Sequence, residues 1–186
     1  MGITLGPRTP EFYALQSRVF TPVSVLGSGK SAVAILAKRG PLLRVFRVTK
    51  APPFHINNPE EYFGDIRRSI MKSHELSKQV LRFRVPRAVE TFIVRNSKNK
   101  AVAVATIMEY VDGPSLDEQI HDMSLTQTKL EDLARLFRMM WTRRVSHGDA
   151  IGCNIIYDRI RKRYVVIDVD NVRQRPSCQL AKEADL

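Results

Sequence analysis

The sequence has few of the residues and runs that would identify an extracellular, membrane-spanning or zinc-binding protein. Its 186 residues include two cysteines, Cys153 and Cys178, which are too few for a disulfide framework. The four histidines are scattered, and no pair has the spacing of a zinc site. No apolar run approaches the roughly 20 residues of a membrane-spanning helix, and the start, MGITLGPRTPEF, lacks the apolar core of a secretory signal. We therefore expect a cytoplasmic protein.

The sequence has fewer acidic than basic residues. There are 30 Lys and Arg against 19 Asp and Glu, which gives a net charge of +11. Such an excess favours an anionic partner such as nucleic acid, an acidic membrane face or a phosphorylated substrate, although it can also serve solubility alone. The sequence has no aromatic RNA-binding motif, zinc finger or uninterrupted basic block, so nothing singles out nucleic acid.

Strand-forming sequence is concentrated in two blocks, which predict a five-stranded antiparallel sheet with one helix. Alternating and β-branched residues bounded by turn signals are typical of strands. The predicted strands lie near 21–26, 31–38, 41–48, 88–95 and 101–109. A helix is predicted from Glu60 to about Leu81, with acidic residues in its first turn. Residues 1–18 carry few structural signals, and we expect them to form a short lead-in.

A glycine turn between Gly27 and Gly29 separates the first two strands. Its end, GKS at 29–31, invites comparison with a Walker A loop. That motif needs another glycine where Ser24 stands, and a helix rather than a strand afterwards. A glycine hairpin over nucleotide phosphates explains the turn better, because glycine lets backbone N–H groups approach phosphates closely. A plain hairpin would have the same sequence.

Arg44 interrupts an apolar row on the third predicted strand. Alternation puts Leu42, Arg44, Phe46 and Val48 on one face. Arg44 either reaches solvent at an edge or points a cation at the α- and β-phosphates of a nucleotide. Glu75, toward the far end of the predicted helix, is a candidate partner for this cation, and a solvated helix charge is the simpler interpretation of it.

The second strand block ends in Glu109 and Tyr110, followed by a turn and a helix that begins at Leu116. A strand that stops at a short connector can offer backbone groups to an adenine edge, and an ordinary strand-to-helix loop has the same pattern. A further helix is predicted near 126–143. We expect its repeated apolar residues to lie in the core: Leu130, Leu133, Ala134, Phe137, Met140 and Trp141.

Three polar groups lie at suggestive spacings within the stretch from 146 to 172. The first is His147-Gly148-Asp149, Asn154 follows, and Asp168 and Asp170 close an Ile/Val run. A predicted hairpin brings Asn154 and Asp168 to the same rim. Asp149 can accept a hydroxyl proton, and Asn154 and Asp168 can supply oxygen ligands to Mg²⁺ against ATP phosphates. Each residue alone also suits a cap or a turn.

The pattern HGD-x4-N followed by IDVD resembles the catalytic and metal loops of the protein-kinase-like superfamily. With HGD for HRD and IDxD for DFG, it resembles more closely the small bacterial kinases of lipopolysaccharide inner-core sugars. This is the Kdo/heptose kinase family, which includes toluene-tolerance-type proteins. The resemblance extends to LLRVFRV, VPRAV and IMEYVDGPSL, and it covers roughly residues 21–172.

The resemblance implies a role for each residue of the catalytic stretch. Asp149 would be the catalytic base, and Asn154 and Asp168 would be the Mg²⁺ ligands. His147 would hold the catalytic loop, and Asp170 would support the metal loop.

The resemblance also implies a nucleotide site. Gly27 and Gly29 would cover the phosphates, and Glu109 and Tyr110 would offer backbone groups to adenine. Arg44 stands where such kinases carry a lysine. Its longer, forked side chain would contact the phosphates with a different geometry.

The implied fold is α+β: a single domain with the two-lobed, protein-kinase-like architecture. Its N-lobe would span about 20–110, its hinge about 109–114 and its minimal, truncated helical C-lobe about 115–186. The implied activity is transfer of phosphate from ATP, with Mg²⁺, to a Kdo or heptose hydroxyl of lipopolysaccharide. The positive charge suits this anionic acceptor and peripheral contact with the cytoplasmic membrane face.

Two alternatives stay open. Arg44 and the absence of a peptide-docking segment after Val172 are also consistent with a pseudokinase, a nucleotide-binding or partner-binding module with little transfer activity. A protein kinase or a small-molecule kinase could use the same catalytic loop. The absence of that docking segment favours a small or carbohydrate acceptor over a peptide.

Overall fold

The computed structural model describes residues 6–29, 31–51 and 57–185. The architecture is α+β, as predicted. The chain divides into two compact units. The first unit comprises Met1–Met71 and Ala88–Tyr110, and the second unit comprises Lys72–Arg87 and Val111–Leu186.

The first unit is built on a five-stranded antiparallel sheet, which confirms the predicted sheet. The strands follow the order β1-β2-β3-β5-β4. They are β1 (Thr21–Ser28), β2 (Ala32–Arg39), β3 (Leu42–Lys50), β4 (Ala88–Arg95) and β5 (Ala101–Glu109). The sequence of β5, AVAVATIME, is apolar apart from Thr106 and Glu109, because this strand lies inside the sheet between β3 and β4.

A short helix, α1 (Pro10–Gln16), lies where the sequence predicted only a lead-in, so that expectation was wrong. Thr9 caps the helix by accepting a hydrogen bond from Phe12 N at 3.2 Å, and a proline occupies the first helical position. Ala14 and Leu15 are buried in the core that covers the sheet. Burial of these two residues stabilises a helix that is too short to form alone.

Side chains alternate along β3 as predicted. Phe46 and Val48 are fully buried. Arg44, two residues before Phe46, is half-buried and lies directly opposite Ala37 of β2 and Glu109 of β5. The cross-strand position next to Glu109 places opposite charges side by side on the sheet.

The glycine turn lies later than predicted. Gly27 is still paired with β2, and β1 continues to Ser28 with two irregularities in its register. Such bulges let a strand accommodate glycine without ending. Gly29 N donates to Ala32 O at 2.8 Å and closes the turn. Lys30, the lysine of the rejected Walker comparison, lies outside the described residues.

Helix α2 (Pro59–Leu81) has the predicted bounds to within one residue. Its first position is a proline, its first turn carries Glu60 and Glu61, and Lys78 lies in its last turn, an arrangement that complements the helix dipole. The preceding connection, rich in proline and asparagine, is outside the described residues from 52 to 56.

The second unit combines helices with two small sheets. Strands β6 (Val145–Ser146) and β9 (Arg173–Gln174) pair antiparallel, as do β7 (Ile155–Asp158) and β8 (Arg163–Val166). The β7–β8 hairpin is the one that the sequence predicted. The helices of this unit are α3 (Leu116–His121), α4 (Gln127–Thr142) and α5 (Cys178–Glu183).

The expected core face of α4 was only partly correct. Met140 is fully buried, but so is Leu136, which the sequence analysis did not include, whereas Leu130 is 44% exposed. Leu136 and Met140 face the cluster that contains Tyr164 and Val166 of β8, and this packing decides which side of α4 is buried. Leu133, Phe137 and Trp141 pack against this cluster as predicted but are only half-buried, and with Leu130 and Ala134 they line an open groove beside α5.

Asp132 links α4 both to Arg84, in the 3₁₀ turn after α2, and to Tyr164 of β8. Arg84 donates two hydrogen bonds to the carboxylate of Asp132, at 2.8 and 2.7 Å. Asp132 also accepts from Tyr164 N at 2.7 Å. Both charged side chains are less than 15% exposed. The attraction between them therefore has to offset the free-energy cost of removing each charge from water.

None of the helices that the structure describes, the 23-residue α2 included, combines the length and apolarity needed to cross a membrane.

Candidate functional site

The predicted catalytic residues lie in the second unit, around the loop from β6 to β7 and the end of β8. Val145 and Ser146 form β6 and are fully buried, so the loop starts from a fixed position. The loop ends in a 3₁₀ turn, Gly152–Asn154, that leads directly into β7. The hairpin then returns the chain to Asp168.

His147 ties this loop to the residue before Asp168. Its side chain is fully buried, and Nε2 lies 2.9 Å from the main-chain oxygen of Ile167. Because a carbonyl only accepts, Nε2 carries the proton and donates. The other ring nitrogen, Nδ1, has no hydrogen-bond partner among the described residues. His147 thus holds the start of the loop to the segment that follows β8.

Gly148 adopts a backbone conformation that suits glycine. Its φ is +77°, and an added Cβ would lie 3.0 Å from the main-chain oxygen of Asn171. Gly148 N donates to Asp185 Oδ1 at 2.9 Å. The conformation and the close approach together explain why a glycine stands between His147 and Asp149.

Asp149 and Asn154 are joined directly by hydrogen bonds. Asn154 Nδ2 donates to the main-chain oxygen of Asp149 and to Asp149 Oδ2, each at 3.0 Å. Asn154 is 9% exposed, whereas Asp149 is half-buried. The amide therefore orients a carboxylate that solvent can still reach.

The hairpin brings Asp168 to the same end as Asn154. Ile167 N donates to the main-chain oxygen of Asn154 at 2.9 Å. Asp168 follows at once, in the left-handed conformation with φ 56° and ψ 53°. A non-glycine residue in this region is uncommon and is held there by its surroundings.

Several carboxylates around the loop affect the pKa of the Cys153 thiol. Burial raises the pKa of Cys153, and the negative charges of Asp117, Asp149 and Asp168 raise it further. A thiolate is disfavoured near like charges. The shift therefore indicates that these three carboxylates lie within electrostatic range of one thiol.

Asp117 was missed by the sequence analysis. It lies in the first turn of α3, and its carboxylate contacts Gly152, where an added Cβ would overlap Asp117 Oδ1. α3 is fixed by a capping box in which Ser115 and Glu118 bond reciprocally. No local signal identifies Asp117, since the contact joins segments far apart in the sequence.

Asp170 makes contacts different from those of Asp168. Its carboxylate oxygen Oδ1 lies 3.9 Å from His74 Nε2 of α2. Its main-chain oxygen accepts from Ser73 Oγ at 3.0 Å and from Arg173 Nη1 at 3.1 Å. These contacts suit support of the metal loop, the role that the resemblance implies.

The donor set fits a Mg²⁺ ion held against phosphates. Because Asn154 turns Nδ2 toward Asp149, its Oδ1 faces elsewhere, and its contact there is Cys153 Sγ at 3.9 Å, a weak donor. Mg²⁺ in such sites uses one or two protein oxygens plus phosphates. Within residues 6–29, 31–51 and 57–185, no three His, Cys, Asp or Glu side chains form a complete metal site by themselves.

The predicted nucleotide residues are distributed over both units. Arg44 Nη1 donates to the main-chain oxygen of Leu43 at 2.8 Å. Glu75 belongs to the second unit, where its Oε1 accepts from Gln79 Nε2 at 3.1 Å. The pairing of Arg44 with Glu75 stays a prediction, as do the roles of the remaining residues: Gly27, Gly29, Glu109 and Tyr110.

Comparison with known families gives one match that covers more than half of the chain. The model of the lipopolysaccharide kinase (Kdo/WaaP) family matches residues 68–186. The matched segment includes Asp149, Asn154 and Asp168. A search of curated proteins finds no match to the chain.

Proposed function

The chain belongs to the lipopolysaccharide kinase (Kdo/WaaP) family, and on this premise we propose the reaction that it catalyses. The family indicates a kinase that acts on lipopolysaccharide. We propose that the protein transfers the γ-phosphoryl group of ATP, with Mg²⁺, to a hydroxyl group of an inner-core sugar, Kdo or heptose.

The pair of hydrogen bonds from Asn154 to Asp149 carries the proposal. A catalytic base must be oriented before its substrate arrives, and Asn154 Nδ2 fixes Oδ2 of this carboxylate. The proton of the acceptor hydroxyl would go to Oδ1, the oxygen that Asn154 does not occupy. The hydroxyl oxygen would then form the new bond to phosphorus, and ADP would leave.

Asn154 and Asp168 would hold Mg²⁺. When bound, Mg²⁺ would neutralise negative charge on the phosphates. Asn154 would contribute Oδ1 and Asp168 its carboxylate, and the hydrogen bond between Ile167 N and Asn154 O keeps their two segments together. Asp170 would support the loop through its contacts with α2.

We propose nucleotide-binding roles for six residues. Gly27 and Gly29 would cover its phosphates with backbone N–H groups, and Glu109 and Tyr110 would offer backbone groups to adenine. Arg44 would bind the α- and β-phosphates, with Glu75 as its partner. We also propose that the first unit is the N-lobe, the second unit belongs to the C-lobe, and 109–114 is the hinge.

The net charge of +11 supports an anionic acceptor. Inner-core saccharides carry carboxylate and phosphate groups, and a basic protein attracts them over a Debye length of about 8 Å. The same charge supports our proposal that the protein binds its acceptor at the cytoplasmic face of the membrane.

The direct test compares the wild-type protein with Asp149→Asn. Asparagine keeps an oxygen that can accept from Asn154 Nδ2 but cannot take the hydroxyl proton. With ATP, Mg²⁺ and purified inner-core lipopolysaccharide, we expect phosphate transfer by the wild type and a loss of about 10²- to 10⁴-fold in the variant. Equal turnover by the two proteins would refute the role of Asp149, and transfer to protein but not to saccharide would refute the acceptor.

A second candidate function rests on Arg44. Its guanidinium replaces the lysine of related kinases and donates to Leu43 O on its own strand. A nucleotide-binding module with little transfer activity would have this property. The variant Arg44→Lys separates the two functions: a large gain in transfer would mean that the natural site is compromised, whereas a loss would mean that arginine is the working cation.

A further inference from the structure

Helix α2 is joined to the turn after Asp168 by a compact set of hydrogen bonds. Ser73 Oγ donates to the main-chain oxygen of Asp170 at 3.0 Å. Arg173 Nη1 donates to the same oxygen at 3.1 Å and to Ser73 Oγ at 3.3 Å. The three groups form a closed triangle, and Ser73 is only 4% exposed. A buried hydroxyl is thus used to hold a backbone carbonyl.

The carbonyl that these groups hold belongs to the turn that begins at Asp168. The 3₁₀ turn Val169–Asn171 follows the left-handed Asp168 directly, and Asp170 is its middle residue. Residues in this conformation persist only where their surroundings determine them. His74, next to Ser73 on α2, reaches the Asp170 carboxylate at 3.9 Å, so the same helix contacts this residue twice.

We propose that Ser73 is a positioning residue for Asp168. By fixing the Asp170 carbonyl, it fixes the turn and therefore the direction of the Asp168 carboxylate. The proposal rests on the proposed function in one respect, namely that Asp168 binds Mg²⁺. It differs from the predicted role of α2, which is the pairing of Glu75 with Arg44, because the contact here is made by a neutral serine with a main-chain oxygen.

Ser77 provides a matched control on the same helix. It is fully buried, lies one turn after Ser73, and donates through Oγ to the main-chain oxygen of Ser73 at 2.7 Å. Its hydrogen bond stays within α2. Replacing Ser77 with alanine therefore removes a buried serine hydroxyl from the same helix without touching the Asp170 carbonyl.

The first measurement requires neither metal nor nucleotide. Amide hydrogen exchange of the full chain, followed by mass spectrometry, reports on the turn after Asp168. In Ser73→Ala we expect exchange in 169–172 to accelerate on the order of tenfold. In Ser73→Thr, which keeps the hydroxyl, and in Ser77→Ala, we expect it to stay at the wild-type rate.

The second measurement is metal binding. Free Mn²⁺ can be counted by electron paramagnetic resonance in the presence of a non-hydrolysable ATP analogue. Groups that orient metal ligands typically change affinity by about 10- to 100-fold when they are removed. We expect Ser73→Ala to weaken Mn²⁺ binding by about tenfold, and Ser73→Thr and Ser77→Ala to retain wild-type binding.

Arg173→Met covers the case in which Ser73→Ala fails to fold. Arg173 is exposed, and its loss removes the second donor to the same carbonyl, so both readouts should change in the same direction. Wild-type exchange and Mn²⁺ affinity in Ser73→Ala, or equal changes in Ser77→Ala, would overturn the positioning role. Failure of the wild-type protein to bind Mn²⁺ with the analogue would instead overturn the proposed kinase function. The exchange measurement needs no metal, so it tests the contact between Ser73 and the turn independently of that function.

Discussion

Asn154 donates two hydrogen bonds to Asp149, one to its main-chain oxygen and one to Oδ2, each 3.0 Å long. One amide group thereby fixes both the backbone and the carboxylate of a single residue. This arrangement makes Asn154 an orienting group as well as a proposed metal ligand, and the two roles use different atoms of the amide.

The variant Asn154→Asp tests this double role. It replaces the donor Nδ2 with an oxygen that faces Asp149 O and Oδ2, so both hydrogen bonds are lost and two carboxylates approach each other. Like charge disfavours the ionised base, so we expect the acid limb of the pH–rate profile to move to higher pH and turnover at pH 7 to fall about 100-fold. Asn99→Asp adds the same charge at an exposed position in the turn between β4 and β5 and should leave the profile unchanged. An unshifted profile in Asn154→Asp would contradict the orienting role.

The variant Gly148→Ala tests the backbone of the loop. The left-handed conformation costs an ordinary residue about 1–2 kcal/mol, and here the new Cβ would also press on Asn171 O at 3.0 Å. Gly40→Ala is the matched control, since Gly40 has φ +59° and nothing within 4 Å of an added Cβ. Denaturant unfolding should show the larger loss of free energy of unfolding for Gly148→Ala. Equal losses would mean that the Asn171 contact relaxes freely.

The pair of Gly152 and Asp117 can be tested by rescue. A Cβ at position 152 would overlap the Asp117 carboxylate, so Gly152→Ala should displace the loop between Asp149 and Asn154 and lower transfer activity. Asp117→Ala removes the obstructing group, and the double variant should recover part of the lost activity. A coupling energy of about 0.5–3 kcal/mol is typical for residues in contact. Additive effects in the double variant would mean that the two residues do not meet.

Acid stability tests the ion pair of Asp132. Burial alone would raise the pKa of Asp132, but the hydrogen bonds from Arg84 and Tyr164 N outweigh it, so the pKa is lowered overall. A lowered carboxyl pKa contributes stability that is present above the unfolded value of about 3.9 and is lost as the pH falls through the folded value. Thermal unfolding followed from pH 7 to pH 3 should show this loss. Its dependence on pH should be weaker in Asp132→Asn.

The same variant has a second consequence at neutral pH. Removing one partner of a buried ion pair leaves the other charge uncompensated, which costs about 3–5 kcal/mol when the pair is fully buried. Arg84 and Asp132 are 13% and 14% exposed, so we expect a loss near the lower end of this range. Glu131→Gln changes the neighbouring, exposed carboxylate and should alter stability by less than about 0.5 kcal/mol. Equal losses in the two variants would contradict the assigned role of the pair.

Strand positions were predictable because each strand of the first unit has a local pattern of apolar residues that is typical of strands. The strand β5 has nearly continuous apolar sequence, and buried positions alternate in β3 after Arg44, at Phe46 and Val48. The predicted bounds of β4 and β5 agree with the structure. Helix α1 was missed because only its cap and proline mark it, and its stability comes from packing Ala14 and Leu15 against the sheet.

The proposed catalytic residues were identifiable for a different reason, namely their spacing in one stretch of sequence. Asp149, Asn154 and Asp168 are close in the chain, and a single hairpin brings them together. Ser73 and Asp117 were not identifiable, because each reaches this stretch from a distant helix. Such contacts depend on tertiary packing, which has no local pattern. For the same reason, Leu130 of α4 was wrongly expected in the core and Leu136 was left out.

We propose above all that this chain phosphorylates an inner-core sugar of lipopolysaccharide through Asp149. The most direct measurement is mass analysis of lipopolysaccharide from cells that lack the protein, complemented with either the wild type or Asp149→Asn. We expect one phosphate group fewer in the deletion, its return with the wild type and its continued absence with the variant. An unchanged phosphate content in the deletion, or full restoration by Asp149→Asn, would contradict it.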